Sequence, residues 1–317
     1  YGGTFIDCTF GQGGYSKEIL KNSNNKVIAL DRDIDVIKYA NNLKFRYLNR
    51  FTFKNLKFSD IKKIDLKNHK LKGVVFDLGY SLKQIQNKQK GISFKSNSKL
   101  NMKMGLNNFS AYDVINKMSQ EDLSKIFKYL GDEKKGKLIS RKIVEKRKIK
   151  MLNTQDLVQI IDRVKVYKNK KTHNATKTFQ ALRIFVNQEI SELIYGLIES
   201  FKILPKGGVI AVVTFHSLED KIVKYFFKNY SENQNSSRYL PDPQDNRILF
   251  KLIKKKPIIP SKEEIKRNPP SRSAKLRYAI KIDEANETMD FEKFIKKFNF
   301  FLELESLGKK LWENRWL

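Results

Sequence analysis

The segment FIDCTFGQGGYSKEIL, residues 5–20, sets Gly11, Gly13 and Gly14 between an apolar run that ends at Phe10 and a helical pattern that begins at Ser16. Glycine permits positive φ and lets a ligand approach the backbone with no Cβ in the way. Twenty positions after Gly11, the apolar run VIALDRD brings a carboxylate, Asp31, to the end of a second strand pattern. A carboxylate at that place accepts from both hydroxyls of a ribose. The spacing is not the G-x-G-x-x-G of dinucleotide binding, and no basic residue sits among the glycines to meet a pyrophosphate. A ligand with a ribose and no phosphate fits, and S-adenosylmethionine is one. A second carboxylate, Asp77, closes GVVFD. There it can meet a ligand ammonium or an incoming nucleophile, or serve as an ordinary helix N-cap.

These residues need a scaffold that brings strand ends together. Short apolar runs alternate with helical patterns through the first hundred residues and return near residue 180, which is the signature of a parallel α/β sheet. Strands are expected at Thr4–Cys8, Lys26–Leu30, Phe51–Asn55, Gly73–Phe76 and Gly208–Phe215, with helices at Ser16–Lys21 and Asp33–Leu43. Continuous runs such as VIAL and VIAVVTF suit strands covered on both faces. In an open sheet of this kind, ligands bind outside the carboxyl ends of the strands.

From about Ser110 to Tyr167 helical spacing takes over. Leu123, Ile126, Phe127 and Leu130 follow SQED, and Leu157, Ile160, Ile161 and Val164 follow Thr154. FQALRIFVNQEISELIYGLIESF then reads as one long amphipathic helix that leads through LPKGG to the next strand. SENQNSSRYLPDPQDN reads as a mobile loop, and the basic segment 249–282, with its apolar YAI, as a closing strand flanked by a basic loop. Phe291, Phe294, Ile295, Phe298 and Leu302 form one stripe of a final amphipathic helix. The expected division is a discontinuous Rossmann-like domain over 1–104 and 179–283, a helical insertion for substrate recognition over 105–178, and a helical extension over 284–317.

A formal charge of +30, from 64 Lys plus Arg against 34 Asp plus Glu, favours a polyanionic partner, nucleic acid before anionic membrane. A codon bias toward Lys, Asn and Ile accounts for part of the excess. The single cysteine, Cys8, excludes an internal disulfide and suits a reducing compartment. Three scattered histidines, of which His69 and His173 read as solvated, give no metal site. With no run of about 18 apolar residues and no signal-peptide pattern, a soluble cytoplasmic protein without a membrane partner is expected. The first residue is Tyr, so the sequence is expected to lack its start.

FIDCTFGQGGYS, ALDRD, FDLGYSLKQI, KGISF, LNMKM, NATKTFQALRIFVNQEI, TFHSLEDKIVK and NPPSRSAKLR occur in an order that closely resembles the bacterial ribosomal RNA small subunit methyltransferase H family. The resemblance covers Tyr1 to about Ile282. It implies a Rossmann-like methyltransferase sheet and S-adenosylmethionine as cofactor. It also implies methylation of the exocyclic N4 amine of a cytidine in the decoding region, on free small-subunit RNA or the assembled subunit. Carried over by motif, the cofactor-binding residues are Gly13, Gly14, Tyr15, Asp31, Phe58, Asp77 and Gln84. Substrate-side residues are Asn101, Arg183, His216 and Ser217, although HSLED also reads as a plain Ser N-cap.

Departures from the family pattern are Tyr15 for His, Gln12 for Arg, DLGYSL for DLGVSS and NMKMG for D-M-R-M-D, so that Asn101 and Gly105 replace carboxylates. A P-V-L-L run that normally precedes the first strand is missing. Binding to phosphates is assigned to Lys255, Lys256, Arg267, Arg272, Lys275 and Arg277. Asp77 is the expected catalytic residue, because a poorly nucleophilic exocyclic amine needs an acceptor for its N–H and the base must leave its stack. Two other readings stay open. One is a nicotinamide-dependent enzyme, disfavoured by the glycine spacing; the other is an RNA-binding relative whose altered Tyr15 and Asn101 have silenced the chemistry.

Overall fold

The computed structural model describes residues 2–81, 84–85, 87, 90–94, 99–165, 173–231, 248–285 and 289–313. The chain forms two compact units, a sheet unit of 1–79 with 192–298 and a helical unit of 80–191 with 299–317.

In the sheet unit, β1 (Thr4–Asp7), β2 (Lys26–Asp31), β3 (Phe51–Asn55), β4 (Leu71–Asp77) and β5 (Val209–Thr214) are parallel, while β6 (Phe250–Leu252) and β7 (Lys275–Lys281) are antiparallel additions. The order is β3-β2-β1-β4-β5-β7-β6. β1 therefore lies mid-sheet, the next strands proceed outward to β3, and β4 returns to the other side of β1. That reversal opens a crevice outside the carboxyl ends of β1 and β4, the place where Rossmann-like sheets take ligands. The expected strands form within two residues of their predicted ends, and YAI lies in β7 as the closing strand.

α1 (Gly14–Leu20) begins before Ser16 because Gly13, at φ 78°, turns the chain into the helix in a left-handed conformation. A Cβ there would strike the Phe10 ring at 2.8 Å. The second helical pattern opens as a 3₁₀ turn at Ile34–Val36, with the Asp33 side chain accepting from Asp35 N–H, and continues as α2 (Ile37–Tyr47). Phe10, Leu20, Val27, Ala29, Ala40, Leu43 and Phe51 lock α1 and α2 onto this side of the sheet.

The helical unit holds α3 (Ala111–Lys117), α4 (Gln120–Gly131), α5 (Gly136–Arg147), α6 (Thr154–Val164) and α7 (Thr176–Asn187). Ser110, Ser119 and Asn153 accept from backbone N–H groups as N-caps. The cap of α6 is Asn153, and Thr154 is buried in the first turn. The buried Lys165 ammonium is tied to Glu133 and to the Asn174 carbonyl.

The single long helix expected over 179–201 is two helices. Gln188 sits at φ 51° and separates α7 from α8 (Glu189–Ile203). Side chains over-determine the break. The Asn187 amide oxygen accepts from Met104 N–H (2.9 Å), and its nitrogen donates to the Tyr80 hydroxyl and the Met102 carbonyl. Glu305 accepts from Ile190 and Ser191 N–H (2.9 and 2.8 Å) and so caps the first turn of α8. Apolar periodicity continues through such a break and gives no sign of it.

The unit boundaries also differ from those expected. The insertion is wider than 105–178, because the segment after β4 and all of α7 pack with it. Beyond β5 the chain forms α9 (Ser217–Asn229), α10 (Lys262–Arg267) and α11 (Met289–Ser306). Residues 284–317 are not one extension, since α11 divides between the units at Phe298. Its Phe291, Phe294 and Phe298 are buried against Phe201, Phe226 and Tyr225 of the sheet unit. The loop expected at 231–246 lies outside the described residues, save Ser231.

Candidate active site

β2, β1 and β4 are adjacent, and each ends in an aspartate: Asp31, Asp7 and Asp77. Asp7 is 1% exposed, accepts from Ser16 Oγ (2.7 Å) and Thr9 N–H (3.3 Å), and has its carboxyl pKa raised, chiefly by burial. Asp31 accepts from Gly11 N–H through Oδ2 and from Asp33 N–H through Oδ1, both at 2.8 Å, so the glycine turn is bound to the end of β2. Burial raises its pKa to about 6 against the opposing effect of those N–H groups. Each oxygen keeps a lone pair for a further donor.

Asp77 differs from both. Its backbone N–H donates to Thr9 Oγ1 (2.6 Å), which fixes the end of β4 to the loop after β1. Its Oδ1 is buried without a hydrogen-bond partner. Desolvation first, then the charges of Asp7 and Glu219, raise its pKa to about 7. Tyr15, 38% exposed, has its hydroxyl held protonated far above the usual range by burial and by the charges of Asp77, Asp7 and Glu264. It is therefore a hydrogen-bond donor at any ordinary pH.

Gly14 opens α1 with nothing within 4 Å of where a Cβ would stand, so its backbone is accessible, whereas Gly13 is demanded by the nearby Phe10 ring. Phe58 stands edge-on to Phe76 at 5.3 Å, and a Cβ at Gly196 would lie 2.5 Å from its ring. One face of Phe58 is thus core.

At the end of β5, His216 and not Ser217 caps α9. Its Nδ1 accepts from Glu219 N–H (3.4 Å), while Glu219 accepts from Phe215 and His216 N–H (2.8 and 3.2 Å). Ser217 is the first helical residue. Asp220 accepts from Arg277 Nε (2.7 Å) and Lys275 Nζ (3.0 Å), so two of the cations expected to meet phosphates are already engaged by a carboxylate. Lys255, Lys256, Arg267 and Arg272 are exposed.

Three expected residues belong to the helical unit. The Gln84 amide oxygen accepts from Ser81 N–H (3.0 Å) and the residue is buried. Asn101, where the family pattern has a carboxylate, keeps a buried Oδ1 without a hydrogen-bond partner. Arg183 is ion-paired with Glu189 (2.9 Å) and lies over the Tyr80 ring at 4.8 Å. His173 is not simply solvated: it stacks on Phe94 at 4.2 Å, and its Nδ1 accepts from Ala175 N–H. His69 Nδ1 lies 3.1 Å from Thr4 Oγ1.

Sequence reasoning missed Asp7, Glu219 and Asn187. Asp7 was recoverable, since it closes FID just as Asp31 closes VIALD and Asp77 closes GVVFD. Glu219 and Asn187 carried no such signal, because their roles depend on which backbone groups the fold presents to them.

The residues of the sheet unit fit S-adenosylmethionine: an open glycine turn, a strand-end carboxylate for a ribose, and an orphaned buried carboxylate oxygen that an ammonium or amine N–H would satisfy. A family model for the MraW methylase family matches residues 1–282. The ribosomal RNA small subunit methyltransferase H of Orientia tsutsugamushi (strain Ikeda) is 42% identical over 290 residues, covering 89% of this chain and 93% of that protein. The protein of the same name from Bartonella quintana (strain Toulouse) is 39% identical over 301 residues, covering 94% and 89%. A crystal structure of an rRNA methylase from Streptococcus thermophilus aligns over 89% of this chain and 87% of that one, at 11% identity and a TM-score of 0.33. With a family match across most of its length and relatives near 40% identity, the chain belongs to the MraW methylase family of S-adenosylmethionine-dependent methyltransferases.

Proposed function

We propose that this methyltransferase methylates the exocyclic N4 amine of a cytidine in the decoding region of small-subunit ribosomal RNA, in the cytoplasm, with Asp77 as the group that handles the amine. The names of the relatives support the RNA class. The observation that carries the chemical assignment is the buried Asp77 Oδ1 without a partner, at the switch point of the sheet. Among the described residues no helix is long and apolar enough to cross a membrane.

Bound S-adenosylmethionine supplies a methyl group on a sulfonium. Asp31 would take the ribose hydroxyls on its two remaining lone pairs, and the open Gly14 backbone would let the cofactor approach closely. The cytosine amine is a weak nucleophile because its lone pair is delocalised into the ring. Asp77 Oδ1 accepts from one of its N–H groups, which draws the nitrogen toward a pyramidal shape and aims the lone pair at the methyl carbon. On taking up the methyl group that the sulfonium would supply, the nitrogen would have to lose a proton. Asp77, with a pKa of about 7, can take it and pass it to water. Tyr15, as a permanent donor, can hold the Asp77 carboxylate or the substrate in place.

Asp77→Asn tests this directly, since it keeps the shape and an acceptor oxygen but removes the charge and the base that takes the proton. Methyl transfer to small-subunit RNA is expected to fall about 10²-fold or more in kcat, with RNA affinity unchanged. A variant with full kcat would remove Asp77 from the chemistry.

A further inference from the structure

The sheet unit holds a cavity of about 290 Å³ between α9, the end of β6 and β7, with none of the three strand-end aspartates in its lining. Lys224 and Lys228 reach it from successive turns of α9, Lys254 and Lys255 from the chain after β6, and Arg277 from β7. No carboxylate lines it among the described residues. Asp220 neutralises Arg277 from behind, and no ion pair among the described residues engages Lys224, Lys228 or Lys254. Like charges gathered around one concavity repel, and an anion placed among them relieves that repulsion. The remaining wall is Phe227, Leu252 and Tyr278, an apolar surface with one partly exposed aromatic ring.

We infer that this cavity seats a single nucleotide of the substrate RNA strand, its phosphate among the lysines and its base against Tyr278, as an anchor separate from the methylation crevice. The inference rests on the ribosomal RNA reading above. The volume admits one nucleotide and no duplex, and the pairing of cations with an aromatic surface is what single-stranded nucleic acid uses. A face made basic only by codon bias would scatter its lysines without regard to a cavity or to an aromatic wall.

The test compares two variants of equal charge: Lys224→Ala/Lys228→Ala/Lys254→Ala, and Lys44→Ala/Lys293→Ala/Lys296→Ala at exposed positions elsewhere on the sheet unit. Affinity for a labelled, unmodified small-subunit RNA fragment is measured by fluorescence anisotropy across a salt series. The cavity variant is expected to bind about tenfold more weakly, and the magnitude of its salt slope to fall by about 0.7 for each phosphate no longer neutralised. The control variant stays within about twofold of the unaltered protein, and calorimetric binding of S-adenosylmethionine is unchanged in both. Tyr278→Leu is expected to weaken binding about tenfold with the slope intact, since stacking releases no counterions. Equal weakening in the two triple variants would overturn the inference. So would competition by free cytidine monophosphate at the affinity of the RNA, which would make the cavity a nucleotide site instead of a strand anchor. Failure of the unaltered protein to bind the RNA at all would instead overturn the ribosomal RNA reading beneath it.

Discussion

Asp31 and Asp77 carry the same side chain at the same kind of position, and their surroundings give them different work. Burial raises the pKa of Asp31 to about 6, and two backbone N–H groups oppose that rise and favour its charged form. Asp77 has no such support for Oδ1 and sits near half-protonation at pH 7. If Asp77 must be ionised to accept from the amine, kcat/KM for methylation rises about tenfold per pH unit below pH 7 and levels off above it. A profile flat from about pH 5.5 to 8.5 would contradict that role. Asp31→Ala is expected to weaken S-adenosylmethionine binding about tenfold to a hundredfold by calorimetry. It also frees Gly11 N–H and Asp33 N–H, so about 1 to 3 kcal/mol of stability should be lost with the affinity. Retained cofactor affinity in a folded variant would mean that the carboxylate only ties the glycine turn to β2.

Elements were legible where a segment's own pattern decides its structure, and obscure where a distant side chain does. VIAL and VIAVVTF declare buried strands, and the stripe of Phe291, Phe294 and Phe298 declares α11. The break between α7 and α8 could not be read, because it is imposed by Asn187 on one side and by Glu305, more than a hundred residues downstream, on the other. HSLED also reads, on residue preference, as a Ser217 cap, whereas the reciprocal bonds of His216 and Glu219 set the start of α9 one residue earlier. The candidate site followed the same division: strand-end carboxylates were visible in sequence, but the partners that set their pKa values were not. Glu305 offers a test of the break. Burial raises its carboxyl from the ordinary 4.5 to about 8, so the stability tied to its protonated form is complete below about pH 4.5 and is lost as pH rises toward 8. Glu305→Gln should flatten that dependence in chemical denaturation of the full chain between about pH 5 and 8. An unchanged pH dependence would show that Glu305 does not bear the linkage.

For the whole molecule, a charge of +30 makes RNA affinity steeply dependent on salt, and the partly neutralised Lys275 and Arg277 indicate that not every cation contributes. Charge brings an RNA strand to the protein but does not determine which atom is methylated. That choice falls, in the proposed mechanism, to Asp77 at the end of β4, with Asp31 at the end of β2 holding the cofactor. The most direct measurement incubates the protein with small ribosomal subunits that lack the modification and with S-adenosylmethionine carrying a labelled methyl group, then digests the RNA to nucleosides. The label is expected in N4-methylcytidine from small-subunit RNA, and at a rate lower by about 10²-fold or more when Asp77→Asn replaces the unaltered protein. Label in a carbon-methylated base or a ribose, or no transfer by a protein that binds both cofactor and RNA, would contradict the account.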